Sequence, residues 1–131
     1  MIENKKTKIL IVEDEAVINK VYADDLRDNG FEVVTAQNGK DGLELALSEK
    51  PDLILLDILM PVMDGLTMMD KLRNASSYGK NVPIILLTNL SADEEETIQA
   101  LTKNEPAYYL VKSDWDLRDV MEKIRERLNR K

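Results

Sequence analysis

Four short apolar runs along this chain each end on a residue able to do chemistry. Ile9 to Val12 leads into Glu13 and Asp14, Leu53 to Leu56 into Asp57, Ile84 to Leu87 into Thr88, and Tyr109 to Val111 into Lys112. Continuous apolar runs of this length, without polar alternation, predict strands buried on both faces, as a parallel sheet requires. The pattern places strands near 8–13, 32–36, 52–57, 82–88 and 107–112. The second, Glu32-Val33-Val34-Thr35-Ala36, is more polar and suits an edge position.

Helical periodicity fills the intervals. Leu117, Val120, Met121, Ile124 and Leu128 form one apolar stripe and predict a closing helix. Val17 with Val21, Ile18 with Tyr22 and Leu26, and Leu43 with Ala46 and Leu47 give shorter stripes. Ser91-Ala92-Asp93-Glu94 has the form of a capping box opening a helix past the fourth strand. Asn29-Gly30 and Asn38-Gly39 punctuate element ends, and Asn74 to Asn81 reads as a long surface loop. Met60, Met63, Met68 and Met69 are expected mostly to fill core, while Pro61 and Gly65 shape the loop around Asp64 that opens the next helix. Alternating strands and helices fold with right-handed crossovers into a parallel sheet between helical layers.

At 131 residues the chain has room for a single domain, expected to span 1–131 with residues 1–7 as a flexible tail. Its formal charge of −7 disfavours direct nucleic-acid binding and anionic membranes and favours cations. The absence of cysteine and histidine excludes disulfides, thiolate chemistry and imidazole catalysis. With no signal-peptide or transmembrane pattern near its start, the expected compartment is the cytoplasm.

In a parallel sheet the five loaded residues emerge together at the carboxyl edge, where open α/β sheets hold their ligands. Glu13, Asp14 and Asp57 brought close would repel: two unit charges about 4 Å apart cost roughly 4 kcal/mol at an effective dielectric of 20. Hard oxygen donors without imidazole or thiolate point to Mg²⁺, with Lys112 as a second neutralising charge. A carboxylate in that setting can attack a phosphoryl group to give an acyl phosphate. Singly, each residue has an ordinary reading as a cap, turn or surface group; their coincidence at one edge is what speaks for a site.

The order of these landmarks resembles the receiver domain of two-component response regulators. The resemblance runs from about Thr7 to the last helix and rests on Glu13-Asp14, Asp57-Ile58-Leu59-Met60-Pro61-Val62-Met63-Asp64-Gly65, Thr88 and Tyr109-Leu110-Val111-Lys112. It implies a flavodoxin-like, doubly wound five-stranded parallel sheet of order 2-1-3-4-5, with five helices in two layers. It implies Asp57 as phosphoacceptor, supplied by a sensor histidine kinase or histidine phosphotransfer protein. Mg²⁺ would be bound by Asp14 directly and by Glu13 partly through water, with Asp57 and the backbone carbonyl of Leu59 completing the set. Lys112 would pair with the phosphoryl group, and Thr88 with Tyr109 would form a switch that alters the surface offered to a downstream effector protein, with dimerisation on phosphorylation left open. The domain would be a signalling module rather than an enzyme, self-catalysing its phosphorylation and dephosphorylation.

The sequence departs from that pattern at several places. Lys112 is followed by Ser113 where the family commonly has proline with a cis bond; a non-proline cis bond costs about 2.5–4 kcal/mol, so a trans bond and a rearranged loop are expected. Asn89 stands where a small residue is common, and with Leu59 and Leu90 it leads to an expectation of slow self-dephosphorylation. Competing readings are a phosphorylation-independent interaction module, a flavodoxin-like FMN binder and a phosphatase of the haloacid-dehalogenase type. The last needs a second Asp two residues after its nucleophile, where this chain has Leu59. With no effector domain after Lys131, the chain reads as either a stand-alone regulator or a receiver from a longer protein.

Overall fold

The structure, a computed structural model, describes residues 6–88, 104, 106, 108–111 and 116–129, and at Thr88, Tyr109 and Val111 the backbone alone. Strands β1 (Lys8–Val12), β2 (Glu32–Ala36), β3 (Leu53–Leu56), β4 (Ile84–Thr88) and β5 (Tyr108–Val111) form one parallel sheet in the order β2-β1-β3-β4-β5. The more polar second run is indeed at an edge. Ile9, Leu10, Val12, Leu53, Ile54 and Leu56 are fully buried, as central strands covered on both faces must be.

Side-chain alternation divides the core between two layers. Leu10, Val12, Ile54, Leu56, Ile84 and Leu86 face α2 (Gly39–Glu49), α3 (Gly65–Arg73) and the short α4 (Ser77–Asn81). Ile9, Ile11, Leu53, Leu55, Ile85, Leu87 and Leu110 face α1 (Ala16–Asp28) and α5 (Leu117–Leu128). The α5 stripe buries Val120, Met121 and Ile124, and an Asp116–Asp119 capping box starts the helix. Met68 and Met69 are fully buried, and Met60 and Met63 pack against the same cluster.

Two local expectations are corrected. The interval Asn74 to Asn81, expected as a loop, contains α4, because the Ser76 side chain accepts the Gly79 N–H and so caps a turn that the Ser-Gly content conceals. The Val17–Val21 stripe faces solvent, with Val17 77% and Val21 49% exposed, while α1 turns Asn19, Ala23 and Leu26 inward. The helix expected from Ser91 lies outside the described residues, as does the Lys112-Ser113 bond.

Candidate functional site

Strand register is what assembles the site. Val12 pairs with Leu56 across β1 and β3, so the residues after them, Glu13 and Asp57, leave the sheet side by side. The Asp57 N–H donates to the Val12 carbonyl at 2.9 Å and the Glu13 N–H to the Ala36 carbonyl at 3.0 Å, extending the pairing one step past the strand ends. The outcome is one acidic cluster: Glu13, Asp14 and Asp57 each offer a carboxylate oxygen, and these oxygens lie within 4.8 Å of one another. Glu13 and Asp57 are buried, at 4% and 7% exposure, and Asp14 is half-buried.

The loop after Asp57 is tightly held. Gly65 N–H donates to the Ile58 carbonyl at 2.8 Å, Asp64 caps α3 by accepting from Thr67 N–H at 2.8 Å, and Gly39 N–H donates to the Met63 carbonyl at 2.8 Å. Within it, Met63 N–H reaches back to the Pro61 carbonyl at 2.7 Å around Val62, whose φ is +69°. That is a three-residue turn in its strained sense, occupied by a β-branched side chain that is 78% exposed and so gains little from packing. Val62→Gly removes the strain and is expected to stabilise by about 1 kcal/mol, raising Tm by about 4 °C in a thermal melt.

The other expected site residues fall as follows. Leu59 lies on the same loop, 55% exposed at the rim. Thr88 ends β4, the neighbour of β3, and lies opposite Val111; Tyr109 pairs with Leu86 from β5, one strand further out. Lys112, Asn89 and Leu90 lie outside the described residues. Sequence reasoning missed Asn19, buried beneath the cluster; its place in an otherwise apolar inward row of α1 was the available signal.

The three carboxylates fit a hard divalent cation such as Mg²⁺. They supply oxygen donors only, they gather three negative charges in one place, and Asp14 keeps the cluster partly open. A doubly wound α/β domain with an acidic crevice at the carboxyl edge is therefore the class that fold and site define.

Comparison with known proteins gives the family. The response regulator receiver domain family matches residues 9–125, and the chain belongs to it. A receiver domain protein (CheY-like) from Methanospirillum hungatei superposes with a TM-score of 0.85 at 27% identity, covering 95% of both chains. The N-terminal receiver domain of RstA from Klebsiella pneumoniae gives 0.81 at 32% identity, covering 94% of this chain and 99% of that one. Among curated proteins, a protein-glutamate methylesterase/protein-glutamine glutaminase of Oceanobacillus iheyensis is 32% identical over 130 residues, 95% of this chain and 36% of its own. A probable transcriptional regulator, ycf27, of Porphyra purpurea is 44% identical over 88 residues, 67% of this chain and 35% of its own. The chain thus spans about a third of the length of these curated relatives. Among the described residues no helix is long and apolar enough to cross a membrane.

Proposed function

We propose that this domain accepts a phosphoryl group on Asp57 from a phosphohistidine of a sensor kinase or phosphotransfer protein, and that the modified domain offers a changed surface to a downstream effector. The observation that carries the reading is the convergence of the Glu13, Asp14 and Asp57 oxygens at the sheet's carboxyl edge in a receiver-family chain. Glu13, Asp14, Asp57 and the Leu59 carbonyl would hold Mg²⁺, which when bound supplies the positive charge that lets an anionic carboxylate meet an anionic phosphoryl group.

The residues of the chain do the rest. An Asp57 carboxylate oxygen forms the new P–O bond as the P–N bond to the donor imidazole breaks, and the imidazole leaves with the electron pair and is neutralised by a proton. Asp57 is fixed for this by its main-chain bond to Val12 and by the packing of α3 behind it. Lys112 and the Thr88 hydroxyl are assigned to the phosphoryl oxygens, and Tyr109, on the adjoining strand, to the aromatic half of the switch. Phosphorylation adds roughly −1.5 to −2 charge and three acceptor oxygens, which biases two packings of an element by its differential affinity for them.

The test is incubation with acetyl phosphate, read by intact mass. With Mg²⁺ the chain is expected to gain one phosphoryl group, and with EDTA none. No gain with Mg²⁺ present would refute the reading.

A further inference from the structure

Asn19 is a polar side chain set inside the molecule, 5% exposed, in the inward row of α1. Its amide nitrogen makes two hydrogen bonds, donating to the carbonyl of Glu13 at 2.9 Å and to the carbonyl of Ala36 at 3.0 Å. A side-chain amide carries two N–H donors on one nitrogen, and both are used here. An apolar residue at this position would take one hydrogen bond from each of the two carbonyls, and an aspartate would set oxygens against them.

The bonded carbonyls are not arbitrary ones. The Ala36 carbonyl also accepts the Glu13 N–H, so the main chain of Glu13 is held on both sides: its N–H by β2 and its C=O by Asn19. That C=O belongs to the peptide plane leading into Asp14. Fixing the plane fixes the directions in which the two carboxylates leave the chain. The Glu15 N–H adds a bond to Glu13 Oε2 at 3.1 Å, steadying the same turn. Three carboxylates in one cluster push one another apart, and a turn anchored by its main chain resists that push before any cation arrives.

We infer that Asn19 is the positioning residue of the acidic site, acting through the Glu13 main chain to hold the Glu13–Asp14 pair in the geometry that binds a divalent cation beside Asp57. It does not itself touch the cation. The inference rests on the reading of the cluster as a Mg²⁺ site.

Isothermal titration with Mg²⁺ of the whole chain tests it, alongside thermal melts, for wild type, Asn19→Ala, Asn19→Ser and Tyr78→Phe. Tyr78→Phe is the control: it deletes a hydrogen bond from the Tyr78 hydroxyl to the Pro51 carbonyl at 2.6 Å, before β3 at the opposite edge of the sheet. Groups that orient metal ligands usually change affinity by 10–100-fold when removed, so Asn19→Ala is expected to weaken Mg²⁺ binding at least about tenfold. Asn19→Ser, which keeps one hydroxyl donor, is expected to lose about threefold and decides the matter alone if Asn19→Ala does not fold. Tyr78→Phe is expected to melt lower with unchanged Mg²⁺ affinity. Asn19 variants that melt lower yet bind Mg²⁺ like wild type, or an equal loss in Tyr78→Phe, would overturn the inference and leave the proposed function standing. A wild-type chain that binds no Mg²⁺ would remove both.

Discussion

Asp57→Asn is expected to abolish phosphoryl uptake from acetyl phosphate and Mg²⁺, with the intact mass unchanged under conditions that modify the wild type. The substitution is close to isosteric at a buried position whose main chain stays bonded to Val12, so the fold is retained and the loss belongs to chemistry. A neutral amide oxygen keeps its lone pairs but lacks the negative charge of a carboxylate, and is too weak a nucleophile to displace an imidazole from phosphorus. The same change has a second readout of opposite sign. Removing one of three clustered charges relieves two repulsions, each of which at an effective dielectric of 20 costs roughly 4 kcal/mol for unit charges about 4 Å apart. Without Mg²⁺ the variant should therefore melt above wild type, and its gain in Tm on adding Mg²⁺ should shrink. Phosphoryl uptake persisting in Asp57→Asn would move the acceptor elsewhere; a lower Tm in the metal-free variant would show that the cluster does not store the repulsion its geometry implies.

Much of this was legible in the sequence because a parallel α/β sheet writes its core as uninterrupted apolar runs and its site as the residues that end them. Ile9 to Val12 and Leu53 to Leu56 stand at the centre of the sheet, and the acids after them meet because parallel register leaves no other place for them. What the pattern misread is equally physical. Val17 and Val21 share a helical spacing, but Ala23, Leu26 and Asn19 define the inward side of α1, and periodicity alone cannot rank two stripes on a short helix. α4 was hidden because a five-residue helix made of Ser, Tyr, Gly, Lys and Asn has no apolar period, and its start depends on a single cap from Ser76. Asn19 was overlooked for a related reason. Its row with Ala23 and Leu26 could be read only once the inward side of α1 was known, and the carbonyls it meets lie on β2 and on the turn after β1.

Gly65→Ala sets two principles against each other, and the structure says which prevails. Gly65 is the first residue of α3, and by helix propensity alone alanine would be favoured there by up to about 1 kcal/mol. A methyl group built on Gly65, however, overlaps the Asp57 carbonyl oxygen and comes within 2.9 Å of its carbonyl carbon and 3.0 Å of Ile58 Cα. Those are main-chain atoms of Asp57, the proposed phosphoacceptor, and of Ile58, and they cannot rotate aside. The N-terminus of α3 must lift away, stretching the Gly65–Ile58 hydrogen bond and straining the Asp64 cap on Thr67. The expected net loss is about 3 kcal/mol, at the upper end for overpacking, or roughly 10 °C in Tm for a chain of this size. Gly42→Ala supplies the contrast, since its methyl would meet side-chain atoms, Val12 Cγ1 and Cγ2 at 2.9 Å and Met68 Sδ at 3.0 Å, and not the main chain of Asp57. Because the displaced main chain carries Asp57, Gly65→Ala should also slow Mg²⁺-dependent phosphoryl uptake below the melting range, while Gly42→Ala should not. A Gly65→Ala chain as stable as wild type would mean that α3 does not press against the Asp57 carbonyl, and the rigid backing assigned to the acceptor would be lost with it.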